Sequence, residues 1–321
     1  MDIVLVCLYS LCILPSVLMS EQLEASALKY FSFLSYWIAI IFPLYIFKRD
    51  ILSIWYSSII FGLISATYVI GSSLIESGLG LRLQVIGDVD GNHLSIGLGV
   101  LVILTLRTIL NSRGRVLCIV LWLAVLLLLS SIFLLMSRTV LVGLFGGGIL
   151  AFLVGILTQL RQRDLKLLIA IFFVTILFFI FFAEYSSNSL DYLDRRFVEF
   201  RFNESRLTLW QESLKSISAF SDWRAVFWGM GYFQSNPHNE FLRYLSDSGV
   251  FGLFWLLLFL ALFYWSKVWS LRKNRIAFAF QNWMFLYLLT YLCTYGHVKT
   301  FWVAPVGIVL NCMLTRQLIG R

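Results

Sequence analysis

Charge is scarce in this chain. Asp, Glu, Lys and Arg make up 13% of its 321 residues, 60% are hydrophobic, and the mean hydropathy is +0.86. No single soluble core could bury that much apolar surface, so a water-soluble domain is excluded and a polytopic membrane protein is implied. Metal-ligand spacing is also missing: Cys7, Cys12, Cys118, Cys293 and Cys312 all fall inside or at the ends of apolar runs and read as packing residues. No internal repeat and no low-complexity linker is present, which points to one membrane domain over 1–321 carrying an outer cap over 184–248. The net charge of +8 is spread in short clusters between apolar runs rather than along one stripe, so nucleic acid is not an expected partner.

What the chain does have is apolar runs of about 17 to 23 residues, the length that crosses a hydrocarbon core of about 30 Å as helix. The fold class is therefore all-α, with about ten transmembrane helices expected. They fall near 3–19, 30–47, 52–74, 93–110, 116–136, 139–157, 167–183, 249–266, 277–295 and 301–318. The first run lacks a basic flank and a small-residue cleavage pattern, and reads as a retained helix rather than a signal peptide. With the N-terminus inside, 14 of the 25 basic residues fall on the inner side, all in short connections or tails, Arg107, Arg113 and Arg115 among them. Seven of the remaining 11 lie in the long loop 184–248, and long loops are largely exempt from the charge bias. Both termini are thus expected in the cytoplasm and the long loop outside.

Two outer segments are long enough to build a working surface. The Gly-rich stretch Ile75 to Asn92 contains Arg82 and the pair Asp88 and Asp90, which could hold a divalent metal but in such a loop are more commonly just turn formers. In the longer segment, Ser205 is a plausible N-cap for a helix over 206–218. Its Leu207, Trp210, Leu214 and Ile217 share one face, which suits a helix lying on the membrane surface. Arg206 then occupies the first turn, where backbone N–H groups and the helix dipole favour a phosphate.

Residues 229–252 concentrate the reactive side chains. His238 follows Pro237, and Glu240, Phe241, Tyr244 and Leu245 read as a short amphipathic helix that stops at Gly249 before the next span. A neutral imidazole there could take a proton from a hydroxyl, oriented by Asn239 or Glu240; the plain alternative is a loop histidine bonded to backbone. Arg138, between two apolar runs on the outer side, could snorkel or could present a planar fork to a phosphate. His93 and His297 also face outward and read as helix-end residues.

His238-Asn239, nine residues, Gly249, two residues, Gly252 resembles the H-N-x9-G-x-x-G signature of the O-antigen ligase and O-antigen polymerase superfamily. Ser137-Arg138-Thr139-Val140-Leu141-Val142 is similar to that family's arginine at the outer start of a helix, although Val142 stands where leucine is usual. Ser205-Arg206-Leu207-Thr208-Leu209-Trp210 is similar to its second arginine, and the stretch from Arg82 to Asn92 is similar more loosely. The family usually has more spans than are expected here.

The resemblance implies a GT-C-like membrane glycosyltransferase of the bacterial inner membrane, with its active site in the periplasm. It implies an undecaprenyl-diphosphate-linked glycan as donor and, as acceptor, either lipid A core oligosaccharide (a ligase) or a second lipid-linked glycan (a polymerase). Arg138 and Arg206 would bind the diphosphate, His238 would be the catalytic base, Asn239, Glu240 and Arg82 would support them, and no metal or other cofactor would be needed. A lipid-linked oligosaccharide flippase or other transporter is the non-enzyme alternative. It fits less well, because mid-span ionisable groups are few and no halves are related.

Overall fold

A computed structural model describes residues 10–11, 13–18, 20, 22–46, 50–75, 91–112, 114–135, 137–157, 204–218, 222–231, 239–294 and 303–319. Every regular element among them is helical: α1 (Leu23–Ile46), α2 (Ile51–Ile75), α3 (Gly91–Asn111), α4 (Arg115–Leu134), α5 (Arg138–Leu157), α6 (Glu204–Ser218), α7 (Trp223–Trp228), α8 (Glu240–Phe263), α9 (Arg275–Thr294) and α10 (Val303–Ile319). A π-helical turn, Tyr264–Val268, and a 3-10 turn, Trp269–Leu271, extend α8. The expected spans over 52–74, 93–110, 116–136, 139–157, 277–295 and 301–318 each meet one of these helices to within a few residues. The expected span 167–183 and the first residues of the span 3–19 lie outside the described residues.

By length and composition, four helices among the described residues can cross a membrane: Ile51–Ser72, Arg115–Leu134, Glu240–Leu271 and Arg275–Thr294. Shorter apolar stretches cover Leu94–Leu110 and Thr139–Ile149. The chain is a multi-pass membrane protein. Two compact units divide it, the first made of 1–49, 202–270 and 289–302, the second of 50–201, 271–288 and 303–321.

The second unit is built around α3, which packs against α2, α4, α5 and α10. Ile96, Leu98, Val100, Val102, Ile103, Leu104, Leu106 and Ile109 are all buried, so the helix is apolar and covered almost all round. In a bilayer, packing of this kind relies on close backbone approach and on polar side chains that find partners. Gly147 and Gly148 provide the approach: the indole of Trp283 lies against both, and its Nε1 donates to the Leu144 carbonyl at 3.0 Å. Tyr287 donates its hydroxyl to the Ile96 carbonyl at 3.1 Å.

Arg107, counted by sequence among the inner flanking charges, is instead buried in the last turns of α3. Its Nη1 donates to the Asn311 carbonyl at 2.9 Å, its Nη2 to the Thr315 hydroxyl, and its guanidinium lies 5.8 Å over the Trp55 ring. Asn311 in turn donates to Gln281, whose Nε2 reaches the Ile308 carbonyl at 2.7 Å. A guanidinium held in this way by two oxygens of α10 and an aromatic face can remain inside the bundle.

Candidate functional site

The first unit contains most of the stretch that the sequence singles out. Asn239 caps α8, its Oδ1 accepting from the Leu242 amide at 3.1 Å, so the helix begins at Glu240. Gly249 interrupts α8 with φ 64° and ψ −167°, the break expected where the amphipathic segment gives way to the span. Before the break, Glu240, Arg243, Ser246 and Asp247 are all buried, and Glu240 and Arg243 form an ion pair through Oε2 and Nη2. Three- and four-residue spacing puts Glu240, Arg243 and Asp247 on one face. Withdrawing two charges from water is costly, and their mutual attraction offsets that only when both partners are present. The other Glu240 oxygen, Oε1, is buried with no hydrogen-bond partner among the described residues.

A second strand of backbone closes on this segment. Asp222 accepts from the Arg224 amide at 3.1 Å and caps the short helix α7, which ends at Gly229 with φ 75°. Past that end, the Met230 amide donates to the Ser246 carbonyl and the Gly231 amide to the Asp247 carbonyl, each at 3.0 Å. Ser16 adds a hydroxyl bond to the same Asp247 carbonyl at 2.8 Å. Both glycines are required: a Cβ at Gly229 would strike the Asp247 carbonyl, and one at Gly249 would strike the backbone of Phe227. Met230 and Gly231 are therefore tied by backbone bonds to the first half of α8.

The candidate residues divide as follows. Asn239 and Glu240 stand together at the start of α8, in the same unit as α6, which packs against α8 and carries Arg206 in its first turn. Arg138 is the first residue of α5 and belongs to the other unit. His238, Arg82, Asp88, Asp90 and His297 lie outside the described residues, while His93 is in the first turn of α3. Helix α6 starts at Glu204, so Ser205 lies within the first turn instead of capping it. An acidic residue suits that turn because the dipole favours negative charge there. Among the described residues no group of three His, Cys, Asp or Glu side chains converges on a metal site.

Residues 123–257, less than half of the chain, match the family model described as O-antigen ligase, Wzy_C. This segment is an O-antigen ligase family domain. The family is one of membrane glycosyltransferases of the ligase type, which act on lipid-linked glycans in general. The O-antigen ligase match takes in Arg138, Arg206, His238, Gly249 and Gly252, and it excludes Arg82. No curated protein matches the chain.

Sequence reasoning missed helix α7 and the partnership of Arg243 with Glu240. The signal for α7 was present, since Asp222 and Gly229 are favoured cap residues at the two ends of a helix. The signal for Arg243 was not, because nothing in composition distinguishes a buried arginine from a solvated one.

Proposed function

We propose that the protein is an O-antigen-ligase-type, metal-independent, inverting glycosyltransferase that moves a glycan from undecaprenyl diphosphate to a hydroxyl of lipid A core oligosaccharide. The observation that carries this reading is that all three candidate residues fall within the matched segment, with Arg138 and Arg206 each in the first turn of a helix. Arg138 opens α5, Arg206 lies in the first turn of α6, and His238 directly precedes the Asn239 cap of α8. Helix starts present free N–H groups and the positive end of the dipole, which suits a diphosphate approaching from the headgroup plane.

In this scheme Arg138 and Arg206 hold the diphosphate oxygens and neutralise the charge that develops as the anomeric C–O bond breaks. His238 removes the proton from the acceptor hydroxyl as its oxygen attacks the opposite face of the anomeric carbon, giving inversion in a single displacement. Glu240, with Oε2 occupied by Arg243 and Oε1 buried beside the helix start, orients the imidazole. Asn239 fixes the end of the chain segment that bears it. The active site faces the periplasm, with both termini in the cytoplasm.

The test is reconstitution with an undecaprenyl-diphosphate-linked glycan, with and without core lipid A, in the absence of added divalent metal. Transfer onto core lipid A is expected. Lengthening of the lipid-linked glycan when no core is present would assign a polymerase instead.

A further inference from the structure

Helix α7 displays an apolar edge that is exposed among the described residues of its unit. Trp223 is 65% and Phe227 50% exposed, with Val226 and Met230 exposed beside them. Trp223 and Phe227 meet edge to face at 6.4 Å, and the exposed Arg224 holds its guanidinium 5.7 Å over the Trp223 ring. The other side of α7 is fixed: Trp228 packs on Phe251 with ring centroids 4.8 Å apart, and Gly229 to Gly231 close on α8 around the Gly249 break.

The position of that break along α8 says what covers the edge. Before Gly249 the helix buries charge; after it, Val250, Phe254 and Leu257 are apolar and exposed. Further on, the exposed Trp265 stacks on Trp269 at 5.8 Å. At 1.5 Å per residue, Gly249 to Trp265–Trp269 covers about 24 to 30 Å, close to one hydrocarbon thickness. Gly249 therefore marks one border of the apolar layer and the tryptophan pair the other, and α7 is held at the first border.

We propose that α7 is an interfacial anchor whose Trp223–Phe227 edge sits in the headgroup and acyl boundary of the bilayer, with phospholipid as its partner. Indole and phenyl rings favour that boundary, and Arg224 can reach lipid phosphate while its stem covers the ring. Because α7 runs directly into the Gly229–Gly231 clamp, the anchor also sets the height at which Met230 and Gly231 meet the first half of α8. The inference rests on α8 spanning the bilayer and is independent of the transferase chemistry.

The experiment places the photoreactive residue p-benzoylphenylalanine at position 227, and separately at 223, in the full chain in nanodiscs of phosphatidylethanolamine and phosphatidylglycerol without any glycan donor. Leu257→p-benzoylphenylalanine is the lipid-facing reference, and adducts are read by mass spectrometry after illumination. Phospholipid adducts at 223 and 227 within about tenfold of the yield at 257 are expected for side chains that share one apolar boundary. Adducts at 257 with only protein cross-links, or none, at 223 and 227 would overturn the anchor. Absence of lipid adducts at all three positions would overturn it together with the span.

Discussion

Replacing Gly249 by alanine tests whether the closure of α7 on α8 supports the candidate site. Glycine is used there for two separable reasons. At φ 64° and ψ −167° the backbone lies in a region essentially reserved for glycine, which costs any other residue about 1–3 kcal/mol. A Cβ would also meet the Phe227 carbonyl, which is backbone at the end of a helix and cannot rotate away. Helix α7 would have to withdraw, breaking the hydrogen bonds that the Met230 and Gly231 amides donate to the Ser246 and Asp247 carbonyls, each contributing about 1 kcal/mol. Together these give roughly 3–5 kcal/mol, or about a hundred- to several-thousandfold loss in the population of the closed arrangement. Amide hydrogen exchange at Met230 and Gly231 reads those bonds directly, and glycan transfer reads the consequence. Gly249→Ala should accelerate exchange at both amides and lower transfer by one to two orders of magnitude or more. Gly146→Ala, where an added Cβ meets nothing within 4 Å, serves as the control. Slow exchange at both amides combined with undiminished transfer in Gly249→Ala would refute the reasoning.

His238→Ala should abolish glycan transfer while the protein stays folded and membrane-inserted; full transfer by that variant removes the base. Arg138→Ala and Arg206→Ala should each reduce donor use by a larger factor than Arg→Lys at the same position, because lysine keeps the charge but loses the fork. Donor titrations compare them, and equal losses for Ala and Lys would assign these arginines a role other than diphosphate binding. Glu240→Gln or Arg243→Met alone should destabilise the start of α8 by about 3–5 kcal/mol, and the pair replaced together by apolar residues should recover most of it. A double-mutant cycle on thermal stability that shows simple additivity would exclude coupling between the two.

What could be read from sequence follows from which signals are local. Span positions were legible because a 20-residue apolar run has few alternatives in a bilayer, and α2 over Ile51–Ile75 meets the expected 52–74 almost residue for residue. The Gly249 break was legible because a polar helical pattern ends there and an apolar one begins. Partnerships across the chain were not. Arg107 looked like an inner flanking charge because its oxygen partners, Asn311 and Thr315, lie more than 200 residues away. The closure of Met230 and Gly231 on α8 is backbone to backbone, so no side chain announces it. Helix α7, at six residues, is too short to show a period.

The buried guanidinium of Arg107 imposes an order on biosynthesis. Asn311, whose carbonyl receives Nη1, is made 204 residues later. At about 5–20 residues per second, α3 exists for about 10 to 40 seconds before α10 can take up that charge. During this interval the arginine has to stay at the aqueous edge, its stem bent back toward water, and α3 cannot settle to its final depth. The second unit therefore completes itself only when α10 arrives, and a truncation ahead of Asn311 removes both the carbonyl and the hydroxyl that accept from this guanidinium.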